Sequence, residues 1–127
     1  MNTGIKHIEF WVSDLGKAMR FYAGLFEIIG WEQASENGFK TPGMKIYFRE
    51  YRDLVMQKSL GPRHICFGAN GRAMVDHVGE YLKECNARIV RGPLAIEGER
   101  YSKGYYTVDF FDPDGYILEV AHSPASE

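Results

Sequence analysis

The chain is poor in cysteine, carries no long apolar run, and has no block of like charge. It has only two cysteines, Cys66 and Cys85. They fall on different predicted elements and form no CxxC pattern, so neither a disulfide framework nor a cysteine-based zinc site is expected, and a reduced, cytoplasmic protein is the natural expectation. The longest apolar runs fall far short of the roughly 20 residues that a membrane helix needs. The opening stretch MNTGIKHIEF lacks a charged leader, an apolar segment and a cleavage pattern, which argues against secretion. Its 8 Phe, 8 Tyr and 2 Trp offer stacking surface, but the formal charge is −2 and no basic run accompanies them. A surface that tracks phosphates is therefore not expected, and neither nucleic acid nor membrane is an anticipated partner.

What is present is periodicity. The 127 residues, 45% of them hydrophobic, suit a single domain with a real core. Residues 5 to 12 alternate apolar and polar, which predicts a strand. Ser13 and Asp14 supply a helix cap, and Ala18, Phe21, Tyr22, Leu25 and Ile29 then recur at helical spacing until Gly30 stops the helix. A strand from Trp31, a turn at ENGF, a loop at TPGM and strands at KIYFRE and LVMQKS complete this half. After Leu60-Gly61-Pro62 the order starts again. RHICFGA reads as a strand and GRAMVDHVGEYLKECNA as a helix with Met74, Val75, Val78, Tyr81, Leu82 and Cys85 on its buried stripe. RIVRGP, GYYTVDFF and YILEVAH read as strands, and DPDG as a β-turn rather than a calcium loop. The tail SPASE reads as frayed.

The chain is thus β-α-β-β-β written twice. HIEF at 7 returns as HICF at 64, and GKAM at 16 as GRAM at 71. Echoes in the same order as the elements point to an internal repeat. The expected fold class is α+β, one domain over 1–127, with module 1 at about 4–59 and module 2 at about 62–122.

On a strand, alternate residues share a face. His7, Glu9 and Trp11 share one face, away from Ile8, Phe10 and Val12. His64 and Cys66 lie opposite Ile65 and Phe67. Glu119 faces away from Leu118 and Val120. If repeat symmetry brings these strands together, His7, His64 and Glu119 converge, and two imidazoles with one carboxylate make an open site for a divalent ion. Hydrogen-bonded histidines without a metal are the plainer reading of either residue alone. Glu9 is expected as a rim carboxylate, His77 on a solvated helix face, His122 on the surface, and Cys66 as a buried inert thiol. Tyr101 and Tyr105 are candidate hydrogen-bond donors. Arg49, Arg63 and Arg91 flank strands and are candidates for holding an anionic substrate.

KHIEFWVSDLGKAMRFYAGLF, RHICFGA and DPDGYILEVAH together resemble the vicinal oxygen chelate superfamily, which includes glyoxalase I, bleomycin and fosfomycin resistance proteins and extradiol dioxygenases. The resemblance runs from residue 5 to 122. It implies paired βαβββ modules whose mixed sheets curl into a cup with the helices outside. It also implies a metal (Zn, Ni, Mn, Fe or Co) held by His7, His64 and Glu119, with Glu119 also catalytic. The family's fourth ligand position falls on Met56, a thioether where glyoxalase-like members carry a carboxylate. The implied activity is a small metal-dependent enzyme, an isomerase, lyase or thiol transferase, whose ion chelates neighbouring oxygens of a small-molecule substrate and stabilises an enolate or oxyanion. The alternative is a non-catalytic drug- or metabolite-binding protein. A homodimer is the expected assembly.

Overall fold

The computed structural model describes residues 4–53, 62, 64–98, 101 and 103–124. They belong to two compact units, 1–60 and 61–127.

In the first, β1 (His7–Val12) leads into α1 (Leu15–Ile29), followed by β2 (Glu32–Ser35), β3 (Gly38–Thr41) and β4 (Met44–Glu50). The helix starts where the sequence predicts. The Asp14 side chain accepts from the Lys17 N–H at 2.9 Å, satisfying one of the donors that a helix N-terminus leaves open. It ends at Gly30, whose φ of 87° is readily adopted only without a Cβ. The sheet order is β1-β4-β3-β2, with β1 parallel to β4 and the other pairs antiparallel. Phe10 and Val12 on β1, Phe39 on β3, and Ile46 and Phe48 on β4 are buried, as are Ala18, Phe21, Tyr22, Leu25 and Phe26 on α1. Their rings interlock: Tyr22 lies 4.3 Å from Phe48, Phe26 lies 4.9 Å from Phe39, and Phe10 meets Phe48 edge-on at 5.5 Å. Such pairs add about 0.5–1.5 kcal/mol each beyond their burial.

Two strand assignments change. The third strand is Gly38–Thr41, between the turns at ENGF and TPGM, and KIYFRE belongs to the last strand of the module. LVMQKS, with Met56, lies outside the described residues. Four residues between two turns are too short to display a period of two, and β3 becomes a strand through its pairing with β2 and β4.

The second unit repeats the plan with β5 (Ile65–Gly68), α2 (Arg72–Glu84), β6 (Ile89–Ala95), β7 (Tyr106–Phe111) and β8 (Ile117–His122). Its sheet order, β5-β8-β7-β6 with β5 parallel to β8, is the same permutation. The fold is therefore α+β, with two βαβββ modules and a four-stranded mixed sheet in each. The second core is mainly aliphatic: Val75, Val78, Leu82, Val108, Leu118 and Val120 are buried with Phe67 and Phe110. The buried stripe of α2 is narrower than its periodicity suggests. Met74 and Tyr81 are only part-buried and Cys85 is exposed. Gly79 occupies the buried surface instead, because a Cβ there would stand 2.6 Å from Pro93 Cγ. The DPDG segment is a turn: Asp112 Oδ1 accepts from the N–H groups of Asp114 and Tyr116, both at 2.9 Å, and Gly115 adopts φ 96°.

Candidate functional site

Register assembles a polar row across the second sheet. Cys66 on β5 stands opposite Glu119 on β8, Glu119 opposite Asp109 on β7, and Asp109 opposite Arg91 on β6. Directly opposed residues share a face, so a thiol, two carboxylates and a guanidinium line up on one side of the sheet. Leu118 and Val120 fill the other side. His64, just before β5, adds an imidazole to this face.

Glu119 is the centre of the row. It is only 6% exposed, and an unpaired carboxylate at that depth would be costly. Three side chains meet it. Tyr105 Oη donates to Oε2 at 2.5 Å and Thr107 Oγ1 donates to the same oxygen at 2.7 Å. His64 Nε2 lies 3.2 Å from Oε1. Burial alone would raise the carboxyl group's pKa. The hydrogen bonds from Tyr105 and Thr107, together with the charge and hydrogen bond of His64, outweigh it and hold Glu119 below the usual carboxylate range. Glu119 is thus a buried, ionised group with one oxygen held by hydroxyls and the other turned to an imidazole.

The neighbours respond in the opposite sense. Burial first, then the bond to Glu119, pushes the Tyr105 hydroxyl well above its ordinary value and keeps it a donor. Cys66 is exposed, which corrects the expectation of a buried thiol. Its sulfur is nonetheless crowded, and that desolvation, followed by the Glu119 charge, pushes the thiol up to about 12. A thiol so held is a poor nucleophile.

His64, Arg91, Tyr101, Tyr105, Asp109 and Glu119 line a cleft of about 460 Å³ within this module. Arg91 Nε donates to Asp109 Oδ2 at 2.5 Å, while among the described residues Asp109 Oδ1 is buried without a hydrogen-bond partner. Arg91 is therefore at the site but already engaged. Arg49 is exposed on β4, and Arg63 lies outside the described residues.

The matching row in the first module has different chemistry. Glu9 on β1 stands opposite Tyr47 on β4, and Tyr47 opposite Gly38 on β3. Cys66 pairs with Glu119 as Glu9 pairs with Tyr47, so the position equivalent to Glu119 is Tyr47. The fourth position expected at Met56 therefore falls on Tyr47 by register. His7 is exposed and meets the Tyr47 ring edge-on at 5.7 Å. Glu9 is an exposed carboxylate that accepts from Trp11 Nε1 at 2.6 Å. The structure therefore brings His64 and Glu119 together within one module and places His7 beside Tyr47 in the other. Within either module, among the described residues, no three His, Cys, Asp or Glu side chains form a metal-binding group. His77 is exposed, as expected. His122 is part-buried inside β8 rather than beyond it, with Nδ1 3.3 Å from the Ala69 carbonyl oxygen.

The profile of the Glyoxalase/Bleomycin resistance protein/Dioxygenase superfamily matches residues 4–120. The chain belongs to this superfamily. It is 28% identical over 119 residues to the metallothiol transferase FosB of Bacillus licheniformis, covering 92% of this chain and 73% of that protein. In fold it resembles a Bacillus halodurans protein assigned as a glyoxalase, with a TM-score of 0.74 and 25% identity over 93% of this chain and 94% of that one. It also resembles a glyoxalase/dioxygenase from Nostoc punctiforme, with a TM-score of 0.71 and 19% identity over 95% and 91% of the two chains. Membership accounts for the repeated βαβββ plan. No helix among the described residues is long and apolar enough to cross a membrane.

Three members of the site, Thr107, Asp109 and Tyr47, escaped the sequence reading. Thr107 alternates with Tyr105 and Asp109 through YYTVDFF, and a polar residue on every second position of an apolar strand was the available signal. Tyr47 carried no signal of its own, because its equivalence to Glu119 exists only in the register.

Proposed function

We propose that this superfamily member is a metal-dependent enzyme in which His64 and Glu119 hold a divalent ion. The observation that carries the reading is the state of Glu119: buried, ionised, with Oε2 fixed by Tyr105 and Thr107 and Oε1 directed toward His64. Nitrogen and carboxylate donors of this kind suit Zn, Ni, Mn, Fe or Co. The two hydroxyls would orient the ligand as outer partners do in metal sites generally. Bound there, the ion supplies a Lewis acid for oxygens of a small substrate. The protein's own part is to keep Glu119 ionised, to fix its free oxygen, and to present Tyr101 and Tyr105 along the cleft wall.

Likeness to a metallothiol transferase over 92% of the chain favours addition of a thiol to a small electrophile over glyoxalase-type isomerisation. In that reading the thiol is a co-substrate. A homodimer and a reducing, cytoplasmic setting belong to the same reading. Sedimentation equilibrium tests the dimer, and a single species of 14.5 kDa at all concentrations would exclude it. Metal analysis of protein purified without chelator, followed by thiol-consumption assays on metal-loaded and metal-stripped samples, tests the activity. Metal binding with no turnover of any thiol-electrophile pair would exclude thiol transfer, and a lack of glyoxalase-type isomerisation as well would leave a binding protein instead.

A further inference from the structure

The first module has a cleft of its own, of about 580 Å³, and its chemistry is basic. Lys6, Lys40 and Lys45 line it with His7 and Tyr47, and among the described residues Glu32 is its one acidic residue. Three ammonium groups against one carboxylate leave an excess of two positive charges, in a chain whose formal net charge is −2. The arrangement is built into the sheet. His7 stands opposite Lys45, Lys45 opposite Lys40, and Lys40 opposite Glu32, so all four share the face that carries Glu9 and Tyr47. Like charges directly opposed on neighbouring strands destabilise a sheet. Lys40 and Lys45 are such a pair, and among the described residues neither makes an ion pair with a carboxylate.

We infer that this cleft binds a small oxyanion, of phosphate or carboxylate type, and that it holds the anionic end of the substrate. An anion between Lys40 and Lys45 turns their mutual repulsion into two attractions. Tyr47 and the Thr41-Pro42-Gly43 turn form part of the cleft wall, and because both lysines are exposed their attraction for an anion is open to screening by salt. Lysine ammoniums act as point charges without the planar fork of arginine, so the cleft selects for charge more than for ligand shape. His7 lines the same cleft, and the anion would sit beside this residue, which the superfamily resemblance names as a metal ligand. Its assignment to the substrate therefore rests on the function proposed above, whereas anion binding itself does not require the metal.

The test is calorimetric titration of the metal-free protein at low ionic strength with inorganic phosphate and, separately, with acetate. Saturable binding of phosphate assigns the phosphate type, and saturable binding of acetate assigns the carboxylate type. Either should weaken at least tenfold in Lys40→Gln/Lys45→Gln and fade as salt is added. Both lysines are exposed, so the double variant should fold. In anion-free buffer its melting temperature should match or exceed that of the wild type, and the bound anion should raise the wild type's melting temperature alone. No saturable binding of either probe, or equal affinity in the double variant, overturns the inference. Zinc titration of the same two proteins keeps the readings apart. Anion binding without zinc binding would sink the metal reading and leave the oxyanion cleft in place.

Discussion

The two modules share an element order, a strand permutation and a register, yet their matching faces differ in kind. Where the second module sets Glu119 against His64, the first sets Tyr47 against His7. Where the second opposes Asp109 to Arg91 in an ion pair, the first opposes Lys40 to Lys45, and among the described residues neither lysine makes an ion pair. Their cores differ as well, one an aromatic cluster around Tyr22, Phe39 and Phe48, the other aliphatic. Backbone pairing and helix packing need only the alternation of apolar residues, which both halves keep. The polar face is free of that requirement, so chemistry has diverged there. One module carries a buried ionised carboxylate, the other an exposed basic cleft.

Removing the carboxylate should separate the modules most. Glu119→Ala should lower affinity for a divalent ion by more than about 100-fold, beyond the range typical for loss of an outer partner, whereas Tyr47→Phe should change it little. Titration calorimetry with zinc reads both, and equal losses would break the distinction between the two positions.

The helices offer a second contrast. Gly16 on α1 has room, since an added Cβ would meet nothing nearer than 3.5 Å. Gly16→Ala should therefore stabilise by about 0.5–1 kcal/mol. Gly79→Ala on α2 would drive its Cβ to 2.6 Å from Pro93 Cγ and 2.8 Å from Cδ. Overpacking of this kind costs about 1–3 kcal/mol. Urea denaturation should show opposite signs, and two stabilising outcomes would mean that α2 and β6 are not packed so tightly.

Thr107→Val keeps shape but removes one hydroxyl from Glu119. About 1 kcal/mol of stability should go with the hydrogen bond, and metal affinity should drop about tenfold through the loosened ligand. An unchanged zinc affinity would reduce Thr107 to a structural role.

The smallest effect is one of pH. The folded-state pKa of Glu119 lies below its unfolded value. Its ionisation therefore contributes stability that is fully present above the ordinary carboxylate range and is lost as pH falls through the depressed value. The metal-free wild type should lose stability on acidification more steeply than Glu119→Gln, which cannot ionise. Parallel slopes in denaturation series between pH 3 and 7 would show that Glu119 is not held as described.

Much of this molecule was legible in its sequence because the deciding forces are local. Capping by Asp14, the stop at Gly30, the alternation that turns His7 and Glu9 away from Phe10 and Val12, and the Asp112–Gly115 turn each depend on residues within a few positions. The repeat announced itself because both copies kept those local signals. The sides taken by His64 and Glu119 were legible for the same reason, since alternation fixes a side, whereas the adjoining of their strands was not. Tertiary structure alone decided what depends on register and depth. It made GFKT a strand by flanking it with two others, and it gave Tyr47, not Met56, the place of Glu119. It buried Gly79 beneath Pro93 and left Cys85 outside, and it closed Tyr105 and Thr107 onto one oxygen of Glu119. It also set Lys40 beside Lys45. Local spacing tells a residue which way to point, but which residue it meets is settled by hydrogen bonds between segments far apart in the chain.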